Sequence, residues 1–202
     1  MTNKESHAAK TPQQSRKGTM FNSTFADAPV VHSERPRPLK IFRFKDSPVL
    51  EDTGMMTPGN LSEAIVQMDL ENLLPGIGYE ARVLFADTEV ENGLSLVHAW
   101  FGPGFPLPTH SHNSDCLYYI TRGSAIMGKD VLEAGDGLFV PKNAAYRYEA
   151  GPAGAEVLEI RTATSWDMQI IEQKPERWQA NIDRANSSRE VWLKEYSRRP
   201  HQ

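Results

Sequence analysis

The sequence lacks the features that mark secreted, membrane-bound or nucleic-acid-binding proteins. A single cysteine in 202 residues cannot form an intrachain disulfide, so nothing indicates an oxidising compartment. No apolar run approaches the ~18 residues of a membrane span, and the N-terminus has no signal-peptide core. The net charge of −4 and the missing Lys/Arg-dense stripe give no reason to expect nucleic acid. These absences predict a soluble, cytoplasmic protein without membrane or nucleic-acid partners.

The N-terminal part has little hydrophobic character. Residues 1–38 are polar and show no hydrophobic period, so we expect a flexible N-terminal arm. Phe21, Phe25, Val30 and Val31 would be unusual in a fully solvated tail. An arm that drapes over a partner subunit is therefore the alternative interpretation.

Residues 39–172 carry short apolar runs separated by Gly- and Pro-rich turns. The clearest runs are "YEARVLFA", "LSLVHAWF", "CLYYITRG", "SAIMG", "GLFVP" and "AEVLEIRT". Many short strands with such turns predict an all-β sandwich or barrel. "LKIFRF" alternates and predicts a further strand, whereas "NLSEAIVQMDLENLL" fits a strand and a helix equally well.

The chain after residue 172 changes character. Residues 173–202 predict a C-terminal helical tail, in which Trp192 and Tyr196 fall four apart on one face. Aromatic residues on an otherwise charged helix usually dock on something, so the barrel and a second subunit are both candidates.

The stretch "THSHNSDCLYYITRG" carries the candidate chemistry. Residues two apart in a strand share a face, so His110 and His112 would aim both imidazoles into one space. The same parity brings Cys116 and Tyr118 inward. Imidazole nitrogens bind Zn, Cu, Fe and Ni, although a His-x-His pair alone is a weak signal because surface or core histidines also occur in strands.

Two spaced motifs resemble those of the cupin superfamily. The first motif in that family is Gly, five residues, His-x-His, three or four residues, Glu, six residues, Gly. The second is Gly, five residues, Pro-x-Gly, two residues, His. The residues that match are Gly104, His110, His112, Gly123, Gly135 and Pro141. The resemblance implies a double-stranded β-helix, a jelly-roll barrel, over roughly residues 80–165.

Three positions depart from the family pattern. Cys116 stands where the family has its ligand Glu, and Tyr146 stands where it has its third ligand His. Asn143 replaces the turn glycine, which is tolerable because Asn also adopts left-handed backbone angles. Half of the usual ligand set is therefore unconventional.

Three interpretations of this altered set remain open. A divalent metal could be held by His110, His112 and a third ligand, namely Cys116, Tyr146 or His98. A resemblance to thiol dioxygenases of the superfamily implies instead an Fe site beside a cysteine cross-linked to a tyrosine. In the third interpretation the metal is lost, and the barrel is an isomerase-like pocket or a ligand-binding regulatory module.

We expect a small-molecule site inside the barrel and, more specifically, a metal-dependent oxygenase or lyase. The family resemblance implies Fe, Ni, Mn or Zn as cofactor, and Tyr146 or Tyr118 would transfer protons or orient a small organic substrate. His98, Trp100 and Met127 are the predicted pocket residues, with Leu138 and Val140 as further apolar candidates. Cupins of this size commonly pair, which implies a homodimer.

Overall fold

Two β-sheets and a long C-terminal helix build the part of the chain that this computed structural model describes, residues 37–68, 73 and 77–199. The predicted N-terminal arm falls mostly on residues 1–36, which lie outside the described residues. The strands are β1 Met56–Gly59, β2 Tyr79–Ala86, β3 Ser95–Phe101, β4 His110–Ser111, β5 Cys116–Met127, β6 Asp130–Glu133, β7 Gly137–Val140, β8 Glu149–Arg161 and β9 Trp166–Ile170. The helices are α1 Glu63–Val66 and α2 Pro175–Ser197.

The strand order is that of an antiparallel jelly roll with one parallel pair. The larger sheet has the order β2-β3-β8-β5-β6, and β7 pairs with β5 next to β6. The smaller sheet has the order β1-β9-β4, in which β1 and β9 run parallel. The predicted all-β class, with a helical C-terminal segment, is confirmed.

The alternation along the central strands fixes which side chains face the interior. In β3, Val97, Ala99 and Phe101 are buried, and in β8 Val157 is fully buried opposite Ala99. Side chains of the other parity point to the outer surface of the sheet. This parity therefore determines which of the predicted site residues face the cavity.

Glycines at two places lie within strands and do not end them. β5 continues past Gly123 to Met127, and β8 begins before the stretch Gly-Pro-Ala-Gly at 151–154. Gly123 pairs with Ala155 and Ala125 pairs with Ala150, so residues 151–154 bulge out of the ladder. Gly123 has φ of +70°, and a Cβ there would lie 2.0 Å from a backbone oxygen of the bulge. Glycine is required here for close backbone approach, not for a chain reversal.

The predicted strand "LKIFRF" is wrong. The described chain has no strand there, and residues Phe44–Asp46 form a single 3-10 turn. Ile41 is largely exposed, so the alternation of this stretch does not mark a buried face. In the ambiguous stretch that follows, the structure forms the short helix α1, in which Ile65 is buried.

The C-terminal helix docks on the barrel through Trp192. Its indole is fully buried and donates from Nε1 to the carbonyl oxygen of Pro103 at 2.8 Å. A Cβ at Gly78 or Gly102 would lie 2.5 Å or 2.4 Å from this ring, so both glycines make room for it. Tyr196, one turn later, donates to Glu80 at 2.7 Å. Within the described residues, no helix combines the length and the hydropathy of a membrane span.

Candidate functional site

A cavity of about 240 Å³ lies inside the barrel and is closed in part by α2. Most of its lining is aromatic or aliphatic, and α2 contributes Trp178 and Asn181. The ionisable side chains in the lining are Glu51, Tyr79, His110, His112, Tyr118, Tyr146, Tyr148 and Glu159. Ligand sites are typically apolar clefts with a few convergent polar groups, so this cavity is the candidate site.

The backbone around β4 brings the two histidines together. His110 pairs with Ile170 of β9 and forms an isolated bridge with Tyr146. The His110 and His112 rings lie 5.0 Å apart between centroids, as the shared parity predicts. Tyr146, at the position of the family's third ligand, packs against His110 with a centroid distance of 4.4 Å.

Both imidazoles are oriented by backbone carbonyl groups. Nδ1 of His110 lies 2.8 Å from the oxygen of Pro108, and Nδ1 of His112 lies 2.5 Å from the oxygen of Asp167. A carbonyl oxygen only accepts, so Nδ1 carries the proton in both rings and Nε2 keeps the lone pair of the neutral form. Two basic nitrogens are therefore available in the cavity.

Burial keeps both histidines neutral. It lowers the pKa of His110 to about 4, although the hydrogen bond to Pro108 opposes this, and His112 adds a smaller lowering effect. Burial also lowers the pKa of His112, followed by repulsion from Arg161. Neutral imidazole is the form that binds metal ions and accepts protons.

A hydrogen-bonded chain of four side chains forms one side of the cavity. The hydroxyl groups of Tyr118 and Tyr146 are hydrogen-bonded to each other. Arg161 donates from Nη2 to the Tyr118 hydroxyl at 3.0 Å and from Nη1 to Glu159 at 2.6 Å. The guanidinium of Arg161 also lies over the ring of Trp166, 4.5 Å from its centroid.

Both tyrosines of this chain are protonated near neutral pH. Burial raises the pKa of Tyr118 and of Tyr146, and the carboxylate of Glu159 raises both further. They can therefore donate hydrogen bonds as phenols, whereas a phenolate ligand would be costly to form.

Glu159 is a charged cavity residue that the sequence interpretation missed. It lies opposite Val97 and Tyr118, both of which are buried. Glu159 and Arg161 share the parity of Val157 in "AEVLEIRT", and two oppositely charged residues two apart on a core-facing parity were the available signal. Leu158 and Ile160 make the other face of the strand apolar too, which hides this signal.

Cys116 is not brought together with the histidine pair. It is buried on the inward parity of β5, but it does not line the cavity. Burial raises the pKa of its thiol to about 12, with a further contribution from Glu159. The donor set at the predicted metal position is therefore the two histidines without this thiol.

The three predicted pocket residues do not line the cavity either. His98 and Trp100 have the outward parity of β3, because Val97, Ala99 and Phe101 take the inward one. His98 Nε2 lies 3.2 Å from a carboxylate oxygen of Glu156, and Trp100 packs against Tyr196 and Arg199 of the C-terminal segment. Met127, at the end of β5, is half-buried away from the lining. Val140 is buried and Leu138 half-buried, but neither lines the cavity.

The side chains present fit a metal ion only in part. Two imidazoles with protonated Nδ1 and free Nε2 are the arrangement that metal-bound histidines adopt. Among the described residues, however, no group of three or more His, Cys, Asp or Glu side chains is close enough to hold a metal ion. Glu159 lines the same cavity, yet its carboxylate is bound to Arg161. The conventional three-ligand set is not assembled.

Comparison with known proteins finds only solved structures of low sequence identity. No family model and no curated protein matches the chain. Similar solved structures include KdgF from Halomonas sp., at 19% identity over 42% of this chain and 77% of that chain, with a TM-score of 0.38. A RmlC-like cupin from Shewanella frigidimarina NCIMB 400 is 24% identical over 43% of this chain and 77% of that one, with a TM-score of 0.35.

A third similar structure covers more of the chain. The polyketide cyclase RemF from Streptomyces resistomycificus is 13% identical over 75% of this chain and 99% of that chain, with a TM-score of 0.49. At these identities the likeness concerns the fold alone. The cupin fold predicted from the two spaced motifs is confirmed by the barrel itself, in which those motifs place the histidine pair and Tyr146 around one cavity.

Proposed function

We propose that the chain is an enzyme that moves a proton on a small, mainly apolar organic molecule bound inside the barrel. One observation carries the proposal. A neutral imidazole with a free Nε2, that of His110, packs directly against a phenol, that of Tyr146, in an apolar cavity. Proton transfer next to a carbonyl requires a base and a hydrogen-bond donor that face the same bound molecule, and these two side chains line the same cavity.

The roles follow from the hydrogen bonds. His110 Nε2 takes a proton from the carbon beside a substrate carbonyl, while the Tyr146 hydroxyl donates a hydrogen bond to the carbonyl oxygen and stabilises the enolate. His112, held by Asp167, adds a second lone pair beside the first. The apolar walls and Trp178 exclude water, which strengthens each of these interactions. Where the enolate is conjugated with a neighbouring double bond, return of the proton from His110 to the far carbon would complete an isomerisation and restore neutral His110.

Proton exchange tests this proposal without knowledge of the natural substrate. Small cyclic ketones such as cyclohexanone and 2-tetralone are incubated with the protein in D2O, and loss of the α-proton signal is followed by NMR. We expect exchange above the buffer rate and a loss of about 100-fold or more in His110→Gln. His98→Gln is the matched control, because His98 lies on the outer face of the sheet. Exchange that is equal in wild type and His110→Gln would rule out the assigned base.

A metal-dependent enzyme is the second candidate, and the orientation of the two histidines favours it. The Nε2 atoms of His110 and His112 would bind a divalent cation, and Glu159 would complete two-histidine-one-carboxylate ligation once released from Arg161. A cation in this place would polarise a substrate oxygen. Fe, Ni, Mn and Zn remain the proposed ions.

Titration calorimetry with each ion separates the two candidates. Tag-free protein is titrated with Zn²⁺, Ni²⁺, Mn²⁺ and anaerobic Fe²⁺. The metal proposal requires about one ion per chain, loss of binding in His112→Ala and normal binding in His98→Ala. Absence of saturable binding for all four ions would eliminate it, while proton exchange that survives chelation would support the first candidate.

A further inference from the structure

The cavity carries a negative charge that its own lining does not balance. Glu51 and Glu159 are the carboxylates in the lining, and none of the described residues that line it is a Lys or an Arg. Glu159 is neutralised by Arg161, which lies 2.6 Å away behind the lining. Glu51 forms no ion pair within the described part of the chain. Because both histidines in the lining are neutral, Glu51 is the uncompensated charge of the cavity.

A phenol holds Glu51 at the rim of the cavity. Glu51 belongs to the 3-10 turn Leu50–Thr53, in which Leu50 is buried and Glu51 is exposed. The hydroxyl of Tyr79 donates to Oε1 of Glu51 at 2.8 Å, and the backbone N–H of Glu51 donates to its own carboxylate. A carboxylate has about four lone-pair positions, so about two remain for donors from a bound molecule.

The surroundings of this carboxylate favour a cation beside it. Burial raises the pKa of the Glu51 carboxyl, the hydrogen bonds from its backbone and from Tyr79 lower it, and the charges of Asp52 and Glu80 raise it further. The raising effects dominate, so the charged form of Glu51 is poorly stabilised by its own protein. A cation bound next to the carboxylate would offset this repulsion.

Aromatic rings line the cavity next to Glu51. Tyr79 stacks on Phe101 with a centroid distance of 6.2 Å and packs on Phe105 at 5.5 Å. The ring of Tyr148 stands edge-on to Phe101 at 5.7 Å. All four rings belong to the lining. The faces of aromatic rings attract cations, and proteins use aromatic-lined sites to bind ammonium groups.

The strand register places this end of the cavity away from the proposed reaction centre. Tyr79 pairs with Phe101 on β3. Tyr118, whose hydroxyl is bonded to that of Tyr146, lies two strands away in the rung of Val97. Val97 and Phe101 are four residues apart on β3, which is about 13 Å along the strand. Side chains from both ends reach inward, so the groups that they bind would be closer together than this.

We propose that the Glu51 end of the cavity is a subsite for an ammonium group, and that the substrate is a small cyclic ketone with an amine at its other end. The ketone half of this inference rests on the proposed function, whereas the amine half does not. The carboxylate of Glu51 accepts from the ammonium N–H groups, and the rings of Tyr79 and Phe105 lie beside the positive charge. The cavity of about 240 Å³ has room for such a molecule, because an apolar cavity of about 150 Å³ holds benzene.

Binding of matched probes tests the ammonium subsite. 2-Phenylethylamine, 2-phenylethanol and phenylacetate share a phenyl ring and are cationic, neutral and anionic at pH 7. Titration calorimetry should give a dissociation constant on the order of 1 mM or below for the amine, at least about tenfold weaker binding for the alcohol, and the weakest binding for phenylacetate. No saturable binding of the amine up to about 10 mM, or equal binding of amine and alcohol, would overturn the proposal.

Two neighbouring carboxylates provide the variant and its control. Glu51→Gln keeps the shape of the side chain and removes its charge, so it should weaken amine binding at least about tenfold and leave the alcohol unaffected. Asp52→Asn removes the same charge outside the lining and should weaken amine binding by less than about threefold. Both side chains are exposed, so both variants should melt like wild type. Equal losses in the two variants, or no loss in Glu51→Gln, would show that Glu51 does not bind the amine.

Proton exchange separates this subsite from the proposed reaction. The α-protons of 6-(aminomethyl)-2-tetralone should exchange with a kcat/KM at least about tenfold above that of 2-tetralone, and Glu51→Gln should abolish this advantage. His110→Gln should lose the exchange and still bind 2-phenylethylamine. Wild type that binds the amine without exchanging either ketone would refute the proposed reaction alone. Wild type that exchanges both ketones equally well would refute the ammonium subsite alone.

Discussion

The hydroxyl of Tyr118 is hydrogen-bonded to the hydroxyl of Tyr146, and Arg161 donates to the Tyr118 oxygen from the other side. A phenol that accepts from a guanidinium becomes the better donor, so Tyr118 donates to Tyr146. The proton of Tyr146 is then left for His110 or for a ligand in the cavity. In the proposed reaction Tyr118 is a positioning residue, and Tyr146 is the group that donates to the substrate carbonyl.

Phenylalanine substitutions separate these two roles. Tyr118→Phe leaves an Arg161 donor buried without its acceptor, so we expect a loss of about 1–3 kcal/mol in the free energy of unfolding. Tyr146→Phe leaves the buried Tyr118 hydroxyl without its acceptor and should also cost about 1–3 kcal/mol, but it should in addition reduce ketone proton exchange by about 100-fold. Urea unfolding and the exchange assay measure the two effects. If Tyr146→Phe kept full exchange activity, the assigned acid would be wrong.

The Glu159–Arg161 pair is expected to be costly to break. Arg161 is almost fully buried, so Glu159→Gln leaves a guanidinium without its carboxylate. We expect a loss of about 3–5 kcal/mol on urea unfolding, and a smaller loss when both are replaced, as in Glu159→Leu/Arg161→Met. The exposed pair Arg198–Glu195 is the control, and Arg198→Ala should cost at most about 0.5 kcal/mol. If Glu159→Gln lowered the free energy of unfolding no more than the control does, the buried pair would not contribute to stability as expected.

The sequence predicts the parts of this site that depend on short-range spacing. Parity over three residues brings His110 and His112 together, and the motif offset brings Tyr146 beside them from a hairpin 34 residues later. These predictions succeed because the two-residue period of a strand and the length of a turn depend on local backbone geometry alone.

Where both faces of a strand are apolar, the sequence pattern cannot show which face points into the cavity. In β3 the inward parity carries the core, and the outward parity is covered by Phe44 and by Tyr196 at the end of α2, so both faces of this strand are buried. The pattern therefore predicts His98 and Trp100 in the cavity, whereas the structure places them outside it. The same ambiguity hides Glu159, which does line the cavity. Which face receives the outer layer depends on where distant segments dock, and alternation within one strand carries no information about that.

Acid should weaken the fold through His110 before the carboxylates respond. The folded pKa of His110 is about 4, against an ordinary value of 6.5, because burial disfavours the charged ring. The unfolded chain binds this proton and the folded chain does not, so stability is complete above pH 6.5 and falls as the pH drops towards 4. Between pH 7 and pH 5 the loss should be about 2 kcal/mol, with His112 acting in the same direction. Urea midpoints at both pH values should differ less in His110→Gln, and an identical pH dependence would contradict the assignment.

The Cys116 thiol should be inert in the folded protein. It is fully buried and its pKa is raised to about 12, so almost no thiolate exists at pH 8 and no reagent reaches it. We expect no reaction with a disulfide reagent such as DTNB in native buffer and one thiol per chain in guanidinium chloride. The intact mass should equal that of the unmodified sequence. Rapid native labelling would contradict the burial, and a mass two hydrogens lower with no titratable thiol would instead indicate a cysteine–tyrosine cross-link. Tyr118→Phe then serves as the control, because loss of the cross-link in that variant would identify the bonded tyrosine.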